Sequence, residues 1–445
     1  MPHRGLTFTE SVAQAEGLDV PKDSNERRVF VIGASSMMGY HHFGQASLSQ
    51  ALTYILNHSA PDHHWKVVSF AKAGEGSPFV FQTARESLRY RPDLLLLYVG
   101  ENEFSPIPVL GRQWPYRLEA FLLKSKLFRI GREIVHRSPW PTAPDFSKVG
   151  WGDFYNRVQL NRDRIMADFV REGVSFLKDR PTGIAVVFLQ PILSAPSGPA
   201  FWNELEKWQL DWSLPATRDF ARGVLAAEDG KPNEAIGFFK RAEAAQPNFV
   251  LTPQYLSISL RTLGRTQEAE TARQKAIDLD ISPPQLPKEN YENVLQGAPL
   301  AEMIPLASRV ASRRGTARVP EDLIEDGCHP TVQLEFEEAR EILEDPLVRR
   351  TLGYANDPLR MSFDGYAGAQ KLDKAFFMQV YSHIGWYLIR SPTAKTAFLK
   401  ALSFSSGNPE VLKALNTYEE HNAMRLDLRK RVLADWRSHL QNSKW

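Results

Sequence analysis

The sequence predicts an α/β protein in which a parallel sheet carries helices on both faces and an all-helical segment interrupts it. Short apolar runs rich in β-forming residues alternate with longer helical patterns from residue 28 onward, as in parallel sheets covered by helices. Residues 216–280 instead show helical periodicity, without strand-like runs. With 445 residues and 43% hydrophobic content, the chain is large enough for a substantial buried core.

The candidate strands are four apolar runs that each end in small or polar residues, together with a weaker run near residues 303–306. The four are residues 29–33, 66–71, 94–100 and 184–190. Helical spacing lies between them at residues 47–56, 79–90 and 158–177. Ligands of open parallel sheets bind beyond the carboxyl ends of the strands, so we expect polar residues that directly follow strands to carry the function.

The helical segment contains an internal repeat with a period of 34 residues. The positions that recur are Gly230 and Gly264, Glu234 and Glu268, Ala235 and Ala269, and Ala242 and Ala276. This period, with Gly in the turn and small residues where helices cross, is typical of the tetratricopeptide helical hairpin. Two such repeats do not bury their faces alone, so we expect the sheet or further helices to cover them. Residues 396–402 resemble the second helix of another repeat.

Composition excludes several classes of protein. The formal net charge is +2, from 54 Lys and Arg against 52 Asp and Glu, which argues against a nucleic-acid-binding surface over the whole protein. The single Cys328 excludes an internal disulfide framework and a zinc site with several thiolates. Apolar runs such as residues 94–99 fall far short of the roughly 18 residues that cross a bilayer. Residues 1–25 lack the apolar core of a signal peptide, so we expect a cytoplasmic protein.

A serine follows the first predicted strand in the segment Gly33-Ala34-Ser35-Ser36-Met37-Met38-Gly39. Glycines on both sides allow a tight strand-to-helix turn that presents the hydroxyl of Ser35 at the sheet edge. A serine in that position is a candidate nucleophile. The equal alternative is a serine that caps the N-terminus of the next helix.

Two other motifs contain candidate catalytic groups. Asn102 follows the third predicted strand, where its amide is able to donate to an oxyanion or to satisfy a turn. Asp326 precedes His329 by three residues, a spacing at which the carboxylate accepts a hydrogen bond from the imidazole. Such Asp-x-x-His pairs are also common on ordinary surfaces.

Together, three blocks of the chain resemble the SGNH (GDSL-type) hydrolase superfamily. They are Gly33-x-Ser35 with Gly39, Tyr98-x-Gly100-x-Asn102-Glu103-Phe104, and Asp326-x-x-His329-Pro330. The chain is similar, more narrowly, to the bacterial branch with tetratricopeptide repeats inserted before the last block. The resemblance covers about residues 28–343 and implies a flavodoxin-like three-layer α/β/α sandwich. It also implies that Ser35 is the nucleophile, His329 the general base, Asp326 its orienting partner and Asn102 an oxyanion donor.

The implied activity is that of a serine esterase or acylhydrolase, which cleaves an O-acyl ester and needs no cofactor or metal. The same site becomes an O-acyltransferase if a sugar or alcohol hydroxyl replaces water. A third hypothesis is a degenerate hydrolase domain that presents its repeats to a protein partner. The substrate class is a small-molecule, carbohydrate or lipid acyl ester. Similar proteins are often exported or anchored to a membrane.

This chain departs from the superfamily pattern at two positions. Ala34 stands where an Asp usually precedes the serine. The second block normally supplies a glycine whose N–H donates to the oxyanion, and the ungapped placement puts Ala71 there, with Gly74 as the alternative. Alanine retains the N–H but resists a positive φ, so Ala71 serves only if its backbone is not left-handed.

The predicted organisation has five parts. An N-terminal extension (1–27) precedes the first part of the hydrolase domain (28–215), the helical insertion (216–282), the last part of the hydrolase domain (283–350) and a helical C-terminal region (351–445).

The remaining motifs have structural interpretations. We interpret Cys328 as a structural or incidental thiol and not as a nucleophile, and the pairs His41-His42 and His63-His64 as surface or loop residues that do not bind metal. Residues 116–137 form a candidate basic amphipathic helix, which packs on the domain, frames an acyl pocket or touches an anionic lipid surface.

Overall fold

The protein was studied as a computed structural model with side chains. The structure describes residues 6–100, 102, 121–123, 125–126, 128–129, 151–192, 210, 212–247, 249, 251–279, 288–316, 319–326, 329–354, 357–389 and 394–442. For residues 151–163, 215 and 277–279, among others, it describes only the backbone.

Five parallel strands form one sheet in the order β2-β1-β3-β4-β5. They are β1 (Glu26–Ile32), β2 (His64–Ser69), β3 (Leu94–Tyr98), β4 (Ala185–Gln190) and β5 (Ala301–Pro305). All five predicted strands are therefore present, with ends shifted by a few residues. Because β1 lies between β2 and β3, the chain leaves β1 to one side and later returns to its other side. In open parallel sheets ligands bind at such a reversal, beyond the carboxyl ends of the strands, which here are β1 and β3.

Alternate residues of the strands enter two hydrophobic clusters, one on each face of the sheet. Val29 and Val31 of β1 belong to one cluster, while Phe30 and Ile32 belong to the other. The first cluster is shared with helices at 48–59 and 332–344, and the second with helices at 77–87 and 151–179. Strands buried on both faces explain the continuous apolar runs of the sequence.

The helices of the described residues are numbered in chain order. They are α1 (Phe8–Ala15), α2 (Ser35–Met38), α3 (Leu48–Ser59), α4 (Ser77–Ser87), α5 (Trp151–Asp179), α6 (Pro215–Glu228), α7 (Pro232–Ala245), α8 (Leu251–Thr262), α9 (Thr266–Leu279), α10 (Lys288–Leu295), α11 (Leu306–Arg313), α12 (Val332–Glu344), α13 (Pro346–Leu352), α14 (Phe363–Ala369), α15 (Lys374–Tyr387), α16 (Ala394–Phe404) and α17 (Pro409–Asn442). No helix in the described part of the chain is both long and apolar enough to span a bilayer.

Helices α6 to α9 form two consecutive antiparallel hairpins. Gly230 and Gly264 lie in the two turns with φ of +74° and +72°, a conformation that glycine adopts without strain. The ring of Phe239 packs so closely on Gly223 that a Cβ there would lie 2.5 Å from it. The repeat thus corresponds to two helical hairpins, and their assignment as tetratricopeptide units stays a prediction.

The long helix α17 completes the core of these hairpins, as expected for repeats that need a covering element. Leu433 and Trp436 of α17 are buried in the same cluster as Phe220 of α6. The N-terminal part of α17 packs instead on α16 through Val411 and Ala414. The helix α17 therefore packs on the hairpins with one end and on α16 with the other.

The predicted basic helix at residues 116–137 falls largely outside the described residues. In the described part, Leu123 is buried, while Lys126 and Arg129 form ion pairs with Glu10 and Glu86. These contacts hold the segment against α1 and α4.

Candidate active site

Ser35 is the first residue of α2, three residues after the last residue of β1. A Cβ at Gly33 would lie 2.7 Å from Cγ of Met37 and 3.0 Å from the carbonyl oxygen of Tyr98, so this turn requires glycine. Gly39 ends α2 with φ of +65°. Ala34, not a serine, occupies the N-cap, and no side chain caps the helix. The capping alternative for Ser35 is therefore wrong, because the helix begins one residue earlier than that alternative requires.

Asp326 and His329 face each other across a tight loop before α12. The loop is closed by the Glu325 N–H, which donates to the His329 carbonyl at 2.8 Å, and by the bridge between Ile324 and Pro330. Asp326 Oδ1 accepts the backbone N–H of His329 at 3.0 Å. His329 Nδ1 lies 2.7 Å from Asp326 Oδ2 and 2.8 Å from Oδ1. The carboxylate thereby fixes which nitrogen of His329 carries the proton and leaves Nε2 to face elsewhere.

Two consecutive histidines meet two consecutive carboxylates at this loop. His41 Nε2 lies 2.9 Å from Asp326 Oδ2, and His42 Nε2 lies 3.0 Å from Glu325 Oε1. A second carboxylate, that of Glu335 in α12, lies 3.6 Å from His42 Nδ1.

The interpretation of His41 and His42 as surface or loop residues is wrong, because both side chains are buried in a single 3₁₀ turn. Their partners lie more than 280 residues away in the chain, beyond what a local pattern indicates. The signal that the sequence contains for this arrangement is a pair of adjacent histidines and a pair of adjacent acidic residues. His64, in contrast, is exposed as expected.

Burial and ion pairing shift the pKa values of this cluster in opposite directions. Burial favours the neutral form of Asp326, but the charge and hydrogen bond of His329, with the hydrogen bond of His41, hold the pKa of Asp326 well below its usual range. Burial disfavours protonated His42, yet Glu325 and Glu335 outweigh it and raise the pKa of His42 to about 10. Burial raises the pKa of Glu335 to about 7 against the opposing effect of His42. Asp326 is therefore an anion and His42 a cation near neutral pH.

Aromatic rings surround the imidazole of His329. Tyr40 stacks on it with ring centroids 5.5 Å apart and an interplanar angle of 24°, and His41 meets it edge-on at 4.8 Å. His383 and Tyr387 of α15 lie 5.5 Å and 5.1 Å from the His41 ring. Burial, together with His41, lowers the pKa of His383. The sequence motifs gave no sign that α15 contributes to this neighbourhood.

The candidate oxyanion donors lie at the carboxyl ends of β2 and β3. The amide of Asn102 donates to the Glu75 carbonyl at 3.0 Å, and the Lys72 N–H donates to the Gly33 carbonyl at 3.0 Å. Ala71 is not among the described residues with positive φ, whereas Gly74 has φ of +73°. Ala71 thus adopts a backbone conformation that alanine tolerates, which meets the condition set by the sequence.

The structure unites Asp326 with His329 but does not join every predicted site residue. Within the described part of the chain, no hydrogen bond links Ser35 to His329 or to Asn102, and Ser35 is half-buried. The Nε2 atom of His329 is shielded from solvent. Catalytic hydrogen bonds are often long or absent before substrate binds, so this separation leaves the assignment open. The prediction for Cys328 falls outside the described residues.

His41, Asp326 and His329 offer ligand atoms that all lie within 4.8 Å of one another, which raises the question of a metal ion. Zinc bonds to nitrogen and oxygen are about 2.0–2.2 Å long, so tetrahedral ligand atoms lie roughly 3.3–3.6 Å apart. The nitrogens of His329 and His41 are 2.7 Å and 2.9 Å from the Asp326 oxygen, which are hydrogen-bond lengths. The geometry fits a hydrogen-bonded network better than a shared ion.

Comparison with known proteins adds little. No protein family and no curated protein matches this chain. Among solved structures the chain is similar to a candidate GDSL-like lipase from Parabacteroides merdae, with 10% sequence identity and a TM-score of 0.27 over 75% of this chain and 99% of the other. A TM-score this low supports no conclusion about the fold or the function of this chain.

Proposed function

We propose that this chain is a serine ester hydrolase of the SGNH type, built on a flavodoxin-like three-layer sandwich. The observation that supports it most is the hydrogen-bonded pair of His329 and the ionised Asp326. This pair is tied through His41 to the connection that also carries Ser35, after β1. A serine, an imidazole oriented by a carboxylate and an amide donor are the groups that acyl transfer requires.

In the proposed reaction, Oγ of Ser35 attacks the carbonyl carbon of an ester, and Nε2 of His329 takes the hydroxyl proton. Asp326 stabilises the imidazolium that forms. Collapse of the tetrahedral intermediate breaks the bond to the alcohol oxygen, which receives the proton from His329. Water then attacks the acyl-enzyme with His329 as the base, and the carboxylic acid leaves.

The negative charge of the intermediate requires donors at the carboxyl edge of the sheet. We assign this role to the amide of Asn102 and to backbone N–H groups of Ser35 and Ala71, with Gly74 as the alternative to Ala71. All four residues follow strands β1, β2 or β3 in the chain, so they share the carboxyl edge of the sheet. Preorganised donors of this kind each contribute about a hundredfold or more to the rate.

The acyl acceptor determines which reaction the site performs. Water as the acceptor gives a hydrolase, and a sugar or alcohol hydroxyl gives an O-acyltransferase. The proposed substrate is a small-molecule, carbohydrate or lipid acyl ester.

A binding scaffold is the second candidate function. It is favoured by the two helical hairpins α6 to α9, whose helical surface suits a protein partner, and by the missing hydrogen bond between Ser35 and His329. In that case the intact Asp326–His329 pair would have only a structural role. One labelling experiment separates the two candidates.

The experiment combines a fluorophosphonate probe with hydrolysis of a short-chain aryl ester. We expect the wild type to be labelled and to turn over the ester, and Ser35→Ala to lose both properties. Ser24→Ala, which removes an exposed hydroxyl, is the matched control and should behave as wild type. An unlabelled wild type without turnover would refute the hydrolase and favour the scaffold. Transfer of the acyl group to an added alcohol, in preference to water, would identify an acyltransferase.

A further inference from the structure

Two adjacent histidines contact two adjacent carboxylates at the loop that contains Asp326 and His329. His41 contacts Asp326, and His42 contacts Glu325. All four side chains have 3% or less of their surface exposed. The histidines lie six and seven residues after Ser35, so this double contact holds the loop of Asp326 and His329 against the turn that follows the proposed nucleophile.

The same oxygen of Asp326 accepts from both imidazoles. Oδ2 is 2.9 Å from His41 Nε2 and 2.7 Å from His329 Nδ1, while Oδ1 accepts the backbone N–H of His329. Because Asp326 is ionised, it accepts at both contacts, which means that Nε2 of His41 carries a proton. Among the described residues, the carboxylate therefore accepts from the His329 ring, the His329 backbone and the His41 ring, and the contact with His41 comes from outside the loop.

We infer that His41 is a positioning residue for the proposed hydrolase, one that fixes the Asp326 carboxylate and thereby the orientation and basicity of His329. This inference rests on the proposed function. His41 acts through Asp326 and needs no contact with substrate. A buried carboxylate that loses one of its donors is held less firmly, and its charge then acts more strongly on the donors that remain.

The direction of the effect on the pKa of His329 follows from the groups that face its imidazole. These groups are Asp326 on its own loop, Tyr40 and His41 from the turn after α2, and Glu335 from α12. His383 and Tyr387 face His41 from α15. Removing the His41 donor leaves more negative charge on Asp326 to stabilise the imidazolium. The pKa of His329 should then rise, and the acidic limb of the rate profile should move to higher pH.

Two variants separate the hydrogen bond from the packing of the ring. His41→Phe keeps a ring among Tyr40, His383 and Tyr387 but has no donor, whereas His41→Gln keeps a donor close to the position of Nε2. The measurements are kcat/KM for an aryl ester from pH 5 to 10 and the pH titration of the His329 imidazole by NMR. Rates are normalised to folded protein by far-UV circular dichroism. His63→Gln is the control, because the ring of His63 bonds Asn25 and packs on Trp65.

We expect His41→Phe to lower kcat/KM about tenfold to a hundredfold and to raise both the acidic limb and the His329 midpoint by about half to one pH unit. His41→Gln should recover most of the wild-type kcat/KM and most of the wild-type pH dependence. His63→Gln should match wild type. The inference is overturned if His41→Phe keeps the wild-type profile, or if folded His41→Gln is as impaired as His41→Phe. Loss of Ser35-dependent labelling in the wild type would overturn the proposed function instead. The NMR titration would still decide whether His41 controls the His329 imidazole.

Discussion

His42 and Glu325 form an ion pair at 3.0 Å in which both side chains are almost completely buried. Removing one partner of a buried pair leaves the other as an uncompensated charge, at a cost of about 3–5 kcal/mol. We therefore expect His42→Leu to lower the free energy of unfolding by about this amount, since it leaves Glu325 and Glu335 facing an apolar side chain. Denaturant unfolding at pH 7 measures the change.

Lys395 and Glu419 provide the comparison for that variant, because they form an ion pair of similar length, 2.7 Å, with both side chains about half-exposed. Lys395→Ala should leave the unfolding free energy close to that of wild type, since exposed pairs contribute little. Equal effects of the two substitutions would contradict the role given to burial.

The stability of the protein should fall as the pH rises from about 6.5 to 10. The pKa of His42 is raised from 6.5 to about 10 in the folded state, so its contribution is complete below pH 6.5 and is lost as pH rises through about 10. The folded state binds more protons than the unfolded state in this range, which gives a negative slope of at most about 1.4 kcal/mol per pH unit for this one group. Urea unfolding of the wild type at pH 7 and pH 9.5 tests the sign.

The double variant Glu325→Gln/Glu335→Gln removes the two anions that keep His42 protonated. Its stability should depend less on pH over the same interval. A wild type that becomes more stable between pH 7 and 9.5 would refute the assignment of His42 as a buried cation.

Asn102→Ala should lower kcat about a hundredfold to a thousandfold with little change in KM, because an oxyanion donor acts in the transition state and not in the bound substrate. The control is Asn25→Ala, since the Asn25 amide also donates to a backbone carbonyl, that of Asp62 at 2.7 Å. Steady-state kinetics on an aryl ester would measure kcat and KM of both variants. A raised KM with unchanged kcat would assign Asn102 to ground-state binding.

Gly223→Ala should destabilise the helical hairpins by about 1–3 kcal/mol, because its methyl group would overlap the Phe239 ring. Gly237 in α7 has open space, with its nearest contact the far end of the Arg241 side chain at 4.0 Å. Gly237→Ala should stabilise the protein by about 0.5–1 kcal/mol through helix propensity. Thermal unfolding of both variants gives the comparison, and a stabilising Gly223→Ala would show that the close approach of α6 and α7 is not required.

The sheet could be predicted because each strand corresponds to a short apolar run in the sequence. The residues of β3, Leu94–Tyr98, are all buried, and such a run is readable without knowledge of its neighbours. The apolar run predicts that β1 starts at residue 29, whereas the strand starts at Glu26, because a charged Arg28 resembles a strand end. In the structure its guanidinium bonds Glu26 at 2.6 Å and the Tyr90 carbonyl at 2.7 Å, and these partners allow it to be buried.

The site was predictable only where its partners are close in sequence. Asp326 and His329 are three residues apart, so their hydrogen bond follows from local geometry. The contact between His41 and Asp326 spans 285 positions and depends on how the sheet brings two loops together. A histidine has no intrinsic preference strong enough to show whether it is buried with a carboxylate or exposed. The contribution of α15 was missed for the same reason.

The position of α17 has a consequence for the synthesis of the chain. Phe220 and Trp436 are buried together, although a ribosome translates more than two hundred residues between them. The apolar face of α6 to α9 that α17 covers therefore stays exposed to water until α17 has left the exit tunnel. The two hairpins must wait for α17 before their core is complete, and a chaperone that shields them during this delay would limit aggregation of the nascent protein.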